Sequence, residues 1–200
     1  MRNLLLKHIP ENAVEFYRVW WEQYPHQLVI TKPRKTKLGD YRPPHGRRGF
    51  HKITVNGDLN KYEFFVTLVH EVAHLITHVK YGRSVSPHGK EWKQKYSELL
   101  KETIKGNCFP NELINQINKH SNNPSASSCV DIELYKSLRK FSVGKSLLLV
   151  EDIEFGAKFI LKGGKRFIKG QKLRKRFKCE EIETGKTYLV SPIAEVRLIA

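Results

Sequence analysis

The sequence is poor in cysteine and has no long apolar segment. Its three cysteines, Cys108, Cys129 and Cys179, lie far apart and form no Cys-x-x-Cys pair, so a zinc site built from cysteines is not expected. A sparse, odd number of cysteines favours a reducing compartment, and we predict a cytoplasmic protein. No apolar run is long enough to cross a membrane, and residues 4–6 are too short for a secretory signal. We therefore expect no membrane partner.

Acidic residues are scarce as well. The 200 residues include 36 lysines and arginines against 20 aspartates and glutamates, which gives a formal net charge of +16. Such a charge attracts polyanions, and it is concentrated in two clusters. Residues 162–178 contain nine basic residues and no acidic one. Residues 32–52 contain eight basic residues beside Asp40, with Tyr41 and Phe50 among them.

These basic clusters predict binding to nucleic acid. Cations neutralise phosphates without reading the base sequence, and aromatic side chains beside them can stack on unpaired bases. No base-reading motif is visible, so the expected partner is DNA that is single-stranded or bound without sequence preference. The alternative is a solvated surface that only keeps the protein soluble. The residues predicted to contact DNA are Arg42, Arg47, Arg48, Lys165, Arg166, Lys169, Lys172, Arg174, Lys175, Arg176 and Lys178.

The most informative segment is HEVAH at residues 70–74. Apolar residues recur at helical spacing over residues 60–80, which predicts an amphipathic helix. His70 and His74 are four residues apart, so their imidazoles lie on one face of this helix and can bind a single zinc ion. Glu71 is placed to take a proton from a water molecule beside that ion. The segment therefore predicts a hydrolytic zinc site.

A third zinc ligand is expected from further along the chain. His78 is excluded, because it lies about 12 Å from His70 along the helix axis and zinc–nitrogen bonds are about 2 Å long. Downstream, His88 stands at the start of a second helical stretch that contains Trp92. We predict His88 as the third ligand. Glu91 is the alternative, since zinc also accepts a carboxylate.

The HEVAH segment, followed by His88, Gly89 and Trp92, resembles the SprT-like (Spartan-like) zinc metalloprotease family. Residues 37–41 and 51–55 are similar to the small hairpin sheet that precedes the active helix in that family. The resemblance implies a site with one zinc ion at residues 70, 74 and 88 and with the glutamate at 71 as general base. It also implies a role in cleaving proteins that are bound or crosslinked to DNA.

The chain departs from the family pattern near its end. Many bacterial members carry a zinc ribbon made of four cysteines in Cys-x-x-Cys pairs. Residues 174–186 resemble a ribbon hairpin, but they contain Cys179 alone. We therefore predict a ribbon-like module that has lost its metal. The other interpretation is that Cys179 is simply a buried or idle thiol.

Hydrophobic periodicity and turn residues divide the chain into helices and strands. The polar residues 121–130 predict a linker between a SprT-like domain at 1–120 and a basic module at 131–200. The expected fold class is α+β, with a zincin-like helical metalloprotease core and a small sheet, followed by a small antiparallel β-module. Helices are predicted at 10–24, 60–80, 88–104, 110–120 and 131–141, and strands at 27–32, 50–55, 147–150, 158–161, 166–168, 176–181 and 187–190.

Together these features predict a zinc-dependent endopeptidase that acts on DNA-associated or DNA-crosslinked proteins. A group that polarises the tetrahedral intermediate is also needed, and Tyr81 and Arg83, just beyond the active helix, are candidates. One alternative is a non-proteolytic nucleic-acid-binding protein with a structural zinc site, although such a site has no need of Glu71. Another is a zinc hydrolase that acts on a small or nucleic-acid substrate.

Overall fold

A computed structural model describes residues 5–34, 36–46, 49–125, 131–142 and 148–199. The chain forms two compact units, Met1–Val143 and Gly144–Ala200. The first combines helices with a three-stranded sheet, and the second is built around a six-stranded antiparallel sheet. The predicted α+β class is confirmed. None of the helices within the described ranges has the length and apolar character needed to span a membrane.

The first unit contains five described helices and a small mixed sheet. The central strand β3 pairs in parallel with β1 and antiparallel with β2, so that β2 lies at one edge. Periodicity did not predict β2, whose four residues include glycine and aspartate, which strands disfavour. The elements are α1 Ala13–Gln23, β1 His26–Thr31, β2 Gly39–Arg42, β3 His51–Asn56, α2 Lys61–Tyr81, α3 Lys90–Lys105, α4 Asn111–Asn122 and α5 Ile132–Arg139.

Helix α2 is the centre of the first unit. It begins with a capping box, in which the Asn60 side chain accepts hydrogen bonds from the backbone N–H groups of Tyr62 and Glu63 while the Glu63 carboxylate accepts one from the Asn60 N–H. It ends at Gly82. Apolar residues cover most of its surface because it packs against β2 and β3 as well as α3. This packing holds the HEVAH residues on a rigid element.

The boundary between the two units lies later in the chain than the predicted linker at 121–130. Helix α5 belongs to the first unit, because Leu134 and Leu138 are buried in its core. Asn60 also donates a hydrogen bond to the Leu138 carbonyl. The predicted linker in fact begins inside α4, where Ser121 is buried. Residues 126–130 of that linker lie outside the described residues.

The second unit is an antiparallel sheet around a small aromatic core. Its strand order is β4-β9-β5-β6-β7-β8, and Phe159, Phe167 and Phe177 are buried inside it. Strand β9 was missed by the sequence prediction. The strands are β4 Leu148–Leu149, β5 Lys158–Leu161, β6 Arg166–Lys172, β7 Phe177–Glu181, β8 Thr187–Val190 and β9 Glu195–Leu198, with a 3₁₀ turn at Val150–Asp152.

Cys179 is part of this second core. It is fully buried on β7, and burial raises the pKa of its thiol. A buried, protonated thiol packs like a small apolar side chain. The structure therefore gives Cys179 a packing role, in agreement with the simpler of the two sequence interpretations.

Candidate metal centre

Three imidazoles converge beside helix α2. The Nε2 atoms of His70 and His74, one helical turn apart, are 3.2 Å from each other. The Nε2 atom of His88 lies 2.9 Å from that of His74 and 3.2 Å from that of His70. Among the described residues, these three form the group of side chains that could hold a metal ion. They are the three ligands predicted from the sequence, whereas the alternative ligand Glu91 lies outside the group.

The donor set fits a zinc ion. Tetrahedral zinc with bonds of about 2.0–2.1 Å holds its nitrogen ligands about 3.3 Å apart, close to the separations observed. Burial is the main cause that lowers the pKa of each imidazole, to about 3 for His74. With their ring protons on Nδ1, three neutral imidazoles in this arrangement offer three lone pairs to one point. A cation that accepts all three lone pairs is the partner that such a cluster requires.

The third histidine reaches the cluster through an unusual backbone conformation. His88 has a φ of 61°, in the left-handed region that few non-glycine residues adopt. A turn in which the Gly89 N–H donates to the Ser86 carbonyl brings the chain into α3 at this point. Backbone strain of this kind persists where the surroundings require a side chain in one place. Here that side chain is the imidazole that completes the cluster.

An aromatic wall supports the three imidazoles from one side. Trp92 and Tyr96 on α3 are fully buried. The Trp92 ring lies 4.6 Å from that of His70, 4.7 Å from that of His88 and 5.1 Å from that of His74, on which it stacks. Tyr96 stacks on Trp92 and lies 5.3 Å from His70.

Sequence reasoning placed this wall on an apolar stripe and missed its contact with the ligands. Trp92 and Tyr96 are four residues apart and so lie on one face of α3, but this spacing does not show which element that face contacts. Burial raises the pKa of Tyr96, and the charges of Glu71 and Asp131 act in the same direction. The phenol therefore stays neutral.

Glu71 is buried between α2 and the edge strand β2. It is 6% exposed, and burial raises the pKa of its carboxyl group to about 8. The Tyr41 backbone N–H favours the charged carboxylate and so opposes this rise in the Glu71 pKa. Strand β2 can approach so closely because residue 39 is glycine: a Cβ there would meet Glu71 Oε1 at 2.5 Å and Thr67 Cγ2 at 2.7 Å.

The cluster opens into a cavity of about 550 Å³. Strand β2, helix α2 and the loop before α3 form its walls, and Glu71 and all three histidines line it. The side chains predicted to polarise an intermediate, Tyr81 and Arg83, are not among the described residues that line this cavity. His78 does line it, and its ring packs against that of Tyr41 at 5.9 Å rather than joining the ligand cluster.

The residues predicted to contact DNA differ in their surroundings. In the second unit, Arg174, Lys175, Arg176 and Lys178 are exposed. By contrast, Lys169 is 6% exposed, and its ammonium group donates to the carbonyls of Ile153 and Glu151. The prediction that Lys169 contacts DNA is therefore corrected, because its ammonium group faces the protein rather than the solvent.

Several other predicted contacts already have acidic partners. Lys165 pairs with Glu181 at 2.7 Å and Lys172 with Glu151 at 2.8 Å, and Arg166 pairs with Glu183. In the first unit, Arg42 is exposed on β2 and pairs with Asp40 at 2.7 Å. Arg47 and Arg48 lie outside the described residues. These pairs are exposed on at least one side and are weak enough to exchange for a phosphate.

Residues 14–108 match the model of the SprT-like family. This segment is similar to that family, as its motifs indicated, and it contains the three-stranded sheet, Glu71 and the complete histidine cluster. The match identifies a metalloprotease-like domain within the first unit. No curated protein and no solved structure gave a significant match to the chain.

We expect the purified chain to bind one zinc ion and His88→Ala to weaken zinc binding by at least about 100-fold, since two imidazoles alone make a poor site. The measurement is a chelator competition titration, with total metal determined in parallel. His78→Ala is the matched control, because this histidine lines the same cavity outside the cluster. If Glu91→Ala lost zinc while His88→Ala kept it, the third ligand would be Glu91.

Replacing Glu71 with glutamine is expected to stabilise the metal-free protein increasingly as the pH rises. Burial raises the Glu71 pKa from 4.5 to about 8, so between these values the folded carboxyl keeps a proton that the unfolded chain has lost. The resulting stability is fully present below pH 4.5 and is lost as the pH rises through about 8. Glutamine stays neutral and avoids this loss.

The expected advantage of Glu71→Gln at pH 8 is on the order of 2–4 kcal/mol, since one pKa unit corresponds to about 1.4 kcal/mol. Urea unfolding of both proteins, with a chelator present, measures the difference from pH 4.5 to pH 8.5. The histidines titrate in both proteins and cancel. A difference in unfolding free energy that does not change with pH would contradict the predicted Glu71 pKa.

Proposed function

We propose that the protein is a zinc-dependent endopeptidase that acts on proteins associated with or crosslinked to DNA. The observation that carries the proposal is the convergence of three imidazole Nε2 atoms within 3.2 Å of one another, in a cavity that also contains Glu71. A site that served only to hold the fold together would have no use for a buried carboxyl group with a pKa near neutrality.

The chain's own residues supply proton transfer and orientation. A zinc ion at the three imidazoles would polarise the scissile carbonyl and lower the pKa of a water molecule. Glu71, which lines the cavity beside the three imidazoles, takes a proton from the attacking water and later gives it to the leaving amine. The Tyr41 backbone N–H favours the ionised form of this carboxyl group, the form that a general base needs.

The position of β2 supports an extended polypeptide as substrate. This strand lies at the edge of its sheet and lines the cavity together with Glu71. An exposed strand edge binds an extended peptide through main-chain hydrogen bonds, which do not depend on the identity of the side chains. We therefore propose broad specificity, with access to the site rather than peptide sequence limiting cleavage.

The arrangement of basic residues supports DNA as the carrier of these substrates. Arg42 and Lys52 are directly opposite each other on β2 and β3, although like charges in this position destabilise a sheet. Phe50, two residues before Lys52 in sequence, is 79% exposed. Two cations beside an exposed aromatic ring suit a phosphate and an unpaired base. In the second unit, the turn that contains Arg174 and Lys175 presents further exposed cations.

Glu71→Gln is expected to lower the rate of protein cleavage by about 10²–10⁴-fold, the usual contribution of a general base, while zinc content stays the same. The assay is cleavage of a protein crosslinked to DNA, followed by gel electrophoresis. Unchanged processing by Glu71→Gln would favour a structural zinc site in a nucleic-acid-binding protein. Degradation of single-stranded DNA supplied alone would favour a nucleic-acid hydrolase instead.

DNA binding is expected to depend on the exposed cations. Arg174→Ala/Lys175→Ala should weaken binding to a single-stranded oligonucleotide and reduce the slope of log K against log salt by about 1.4, because each lost phosphate contact contributes about 0.7. Fluorescence anisotropy over a range of salt concentrations measures the slope. Arg42→Ala/Lys52→Ala tests the two cations on β2 and β3 in the same way.

The matched control is Lys101→Ala/Lys119→Ala, which removes the same charge from exposed positions on α3 and α4. If this control reduced the slope as much as the other double variants, binding would reflect net charge and not the proposed surfaces. Equal cleavage of free and DNA-bound protein by the wild-type chain would remove DNA from the proposed function and leave the peptidase proposal intact.

A further inference from the structure

Behind the aromatic wall, three polar side chains form a series of contacts in which His120 lies between Tyr96 and Asp131. Tyr96 on α3 and His120 on α4 are 0% and 1% exposed, and their rings are nearly perpendicular with centroids 5.7 Å apart. On its other side, His120 Nδ1 lies 2.9 Å from Asp131 Oδ2. Asp131 is the residue that caps α5, where its Oδ1 atom accepts a hydrogen bond from the Leu134 N–H.

The hydrogen-bonding capacity of these groups is complementary. With its ring proton on Nδ1, His120 donates to the Asp131 carboxylate, and in this tautomer the lone pair of Nε2 is an acceptor. His120 Nε2 and Tyr96 Oη are both buried without a hydrogen-bond partner among the described residues. The phenol is a donor and Nε2 an acceptor, and because neither reaches the other directly, one internal water could join them. Buried polar atoms of this kind are rarely left unpaired in native proteins.

The chain of contacts ends at the metal centre. The Tyr96 ring lies 5.3 Å from that of His70 and stacks on Trp92 at 4.9 Å. Trp92 in turn contacts all three clustered imidazoles. Groups behind metal ligands set the orientation of those ligands and their affinity for the ion. A change at Asp131 can therefore be transmitted to the ligand cluster through two ring contacts.

We propose that Asp131 and His120 are positioning residues for the metal centre. Asp131 fixes the His120 tautomer, and one internal water links His120 Nε2 to the Tyr96 hydroxyl. The anchored Tyr96 ring then holds His70 and Trp92 in the geometry that binds the ion. This inference rests on the proposed zinc site. It extends that site to α4 and α5, beyond the segment 14–108 that matches the family.

Two substitutions test the proposal with little change in shape. Tyr96→Phe removes the hydroxyl and keeps the stacked ring. Asp131→Asn removes the carboxylate charge and keeps a good helix cap. Each is expected to weaken zinc binding by about 10–100-fold in a chelator competition titration. Glu133→Gln, an exposed residue in the first turn of the same helix, removes the same charge and should stay within about twofold of wild type.

A double variant separates a positioning role from a merely structural one. If both residues act through one chain of contacts, Tyr96→Phe/Asp131→Asn should lose no more zinc affinity than the weaker-binding single variant. Urea unfolding of the metal-free proteins provides the second readout, and the midpoint of Asp131→Asn should stay near that of wild type. The Co²⁺-substituted proteins should show shifted visible absorption bands in both single variants and an unchanged spectrum in Glu133→Gln.

The proposal would be overturned if both single variants kept wild-type zinc affinity. It would also be overturned if the losses were additive and matched by equal losses of metal-free stability. Should Tyr96→Phe fail to fold, Asp131→Asn alone decides between these outcomes. A wild-type chain that binds zinc but cleaves no protein would overturn the proposed function alone, whereas a chain that binds no zinc would overturn both.

Discussion

The candidate centre depends on one constraint: the helix that carries it must be buried deeply enough to be rigid and yet leave one face accessible. Helix α2 meets both conditions because β2 and β3 cover one side and α3 covers another, while the cavity lies between them. Burial of α2 is also what keeps its imidazoles neutral and raises the pKa of Glu71. The packing that stabilises the domain and the electrostatics that suit the site therefore have the same origin.

The parts of the site that depend on local geometry could be predicted from the sequence. The separation of His70 from His74 fixes their relative position on any helix, and the same helical rise excludes His78. The aromatic wall, the close approach of Gly39 and the contact between His120 and Asp131 could not be predicted. They depend on how α3, α4, α5 and β2 pack against α2, and hydrophobic periodicity shows which face of an element is buried without showing its neighbour.

The charge clusters show a related limit of sequence reading. Counting lysines and arginines gave a uniform basic segment at 162–178, but the fold sorts these residues into different environments. Lys169 is directed into the second core, where it lies 4.2 Å from the Phe177 ring centroid, and Lys165 lies over Tyr188 as well as beside an acid. Burial and pairing arise from strand alternation and register. Net charge thus overstates the cationic surface available to a polyanion.

The three clustered imidazoles also differ in how firmly they are held. Two belong to a buried helix, whereas His88 comes from a turn with a left-handed backbone. A loop in a strained conformation opens more readily than a packed helix. We therefore expect metal to enter and leave the site through movement of the His88 turn. This turn would then govern the exchange rate of the ion, whereas all three ligands govern the equilibrium affinity.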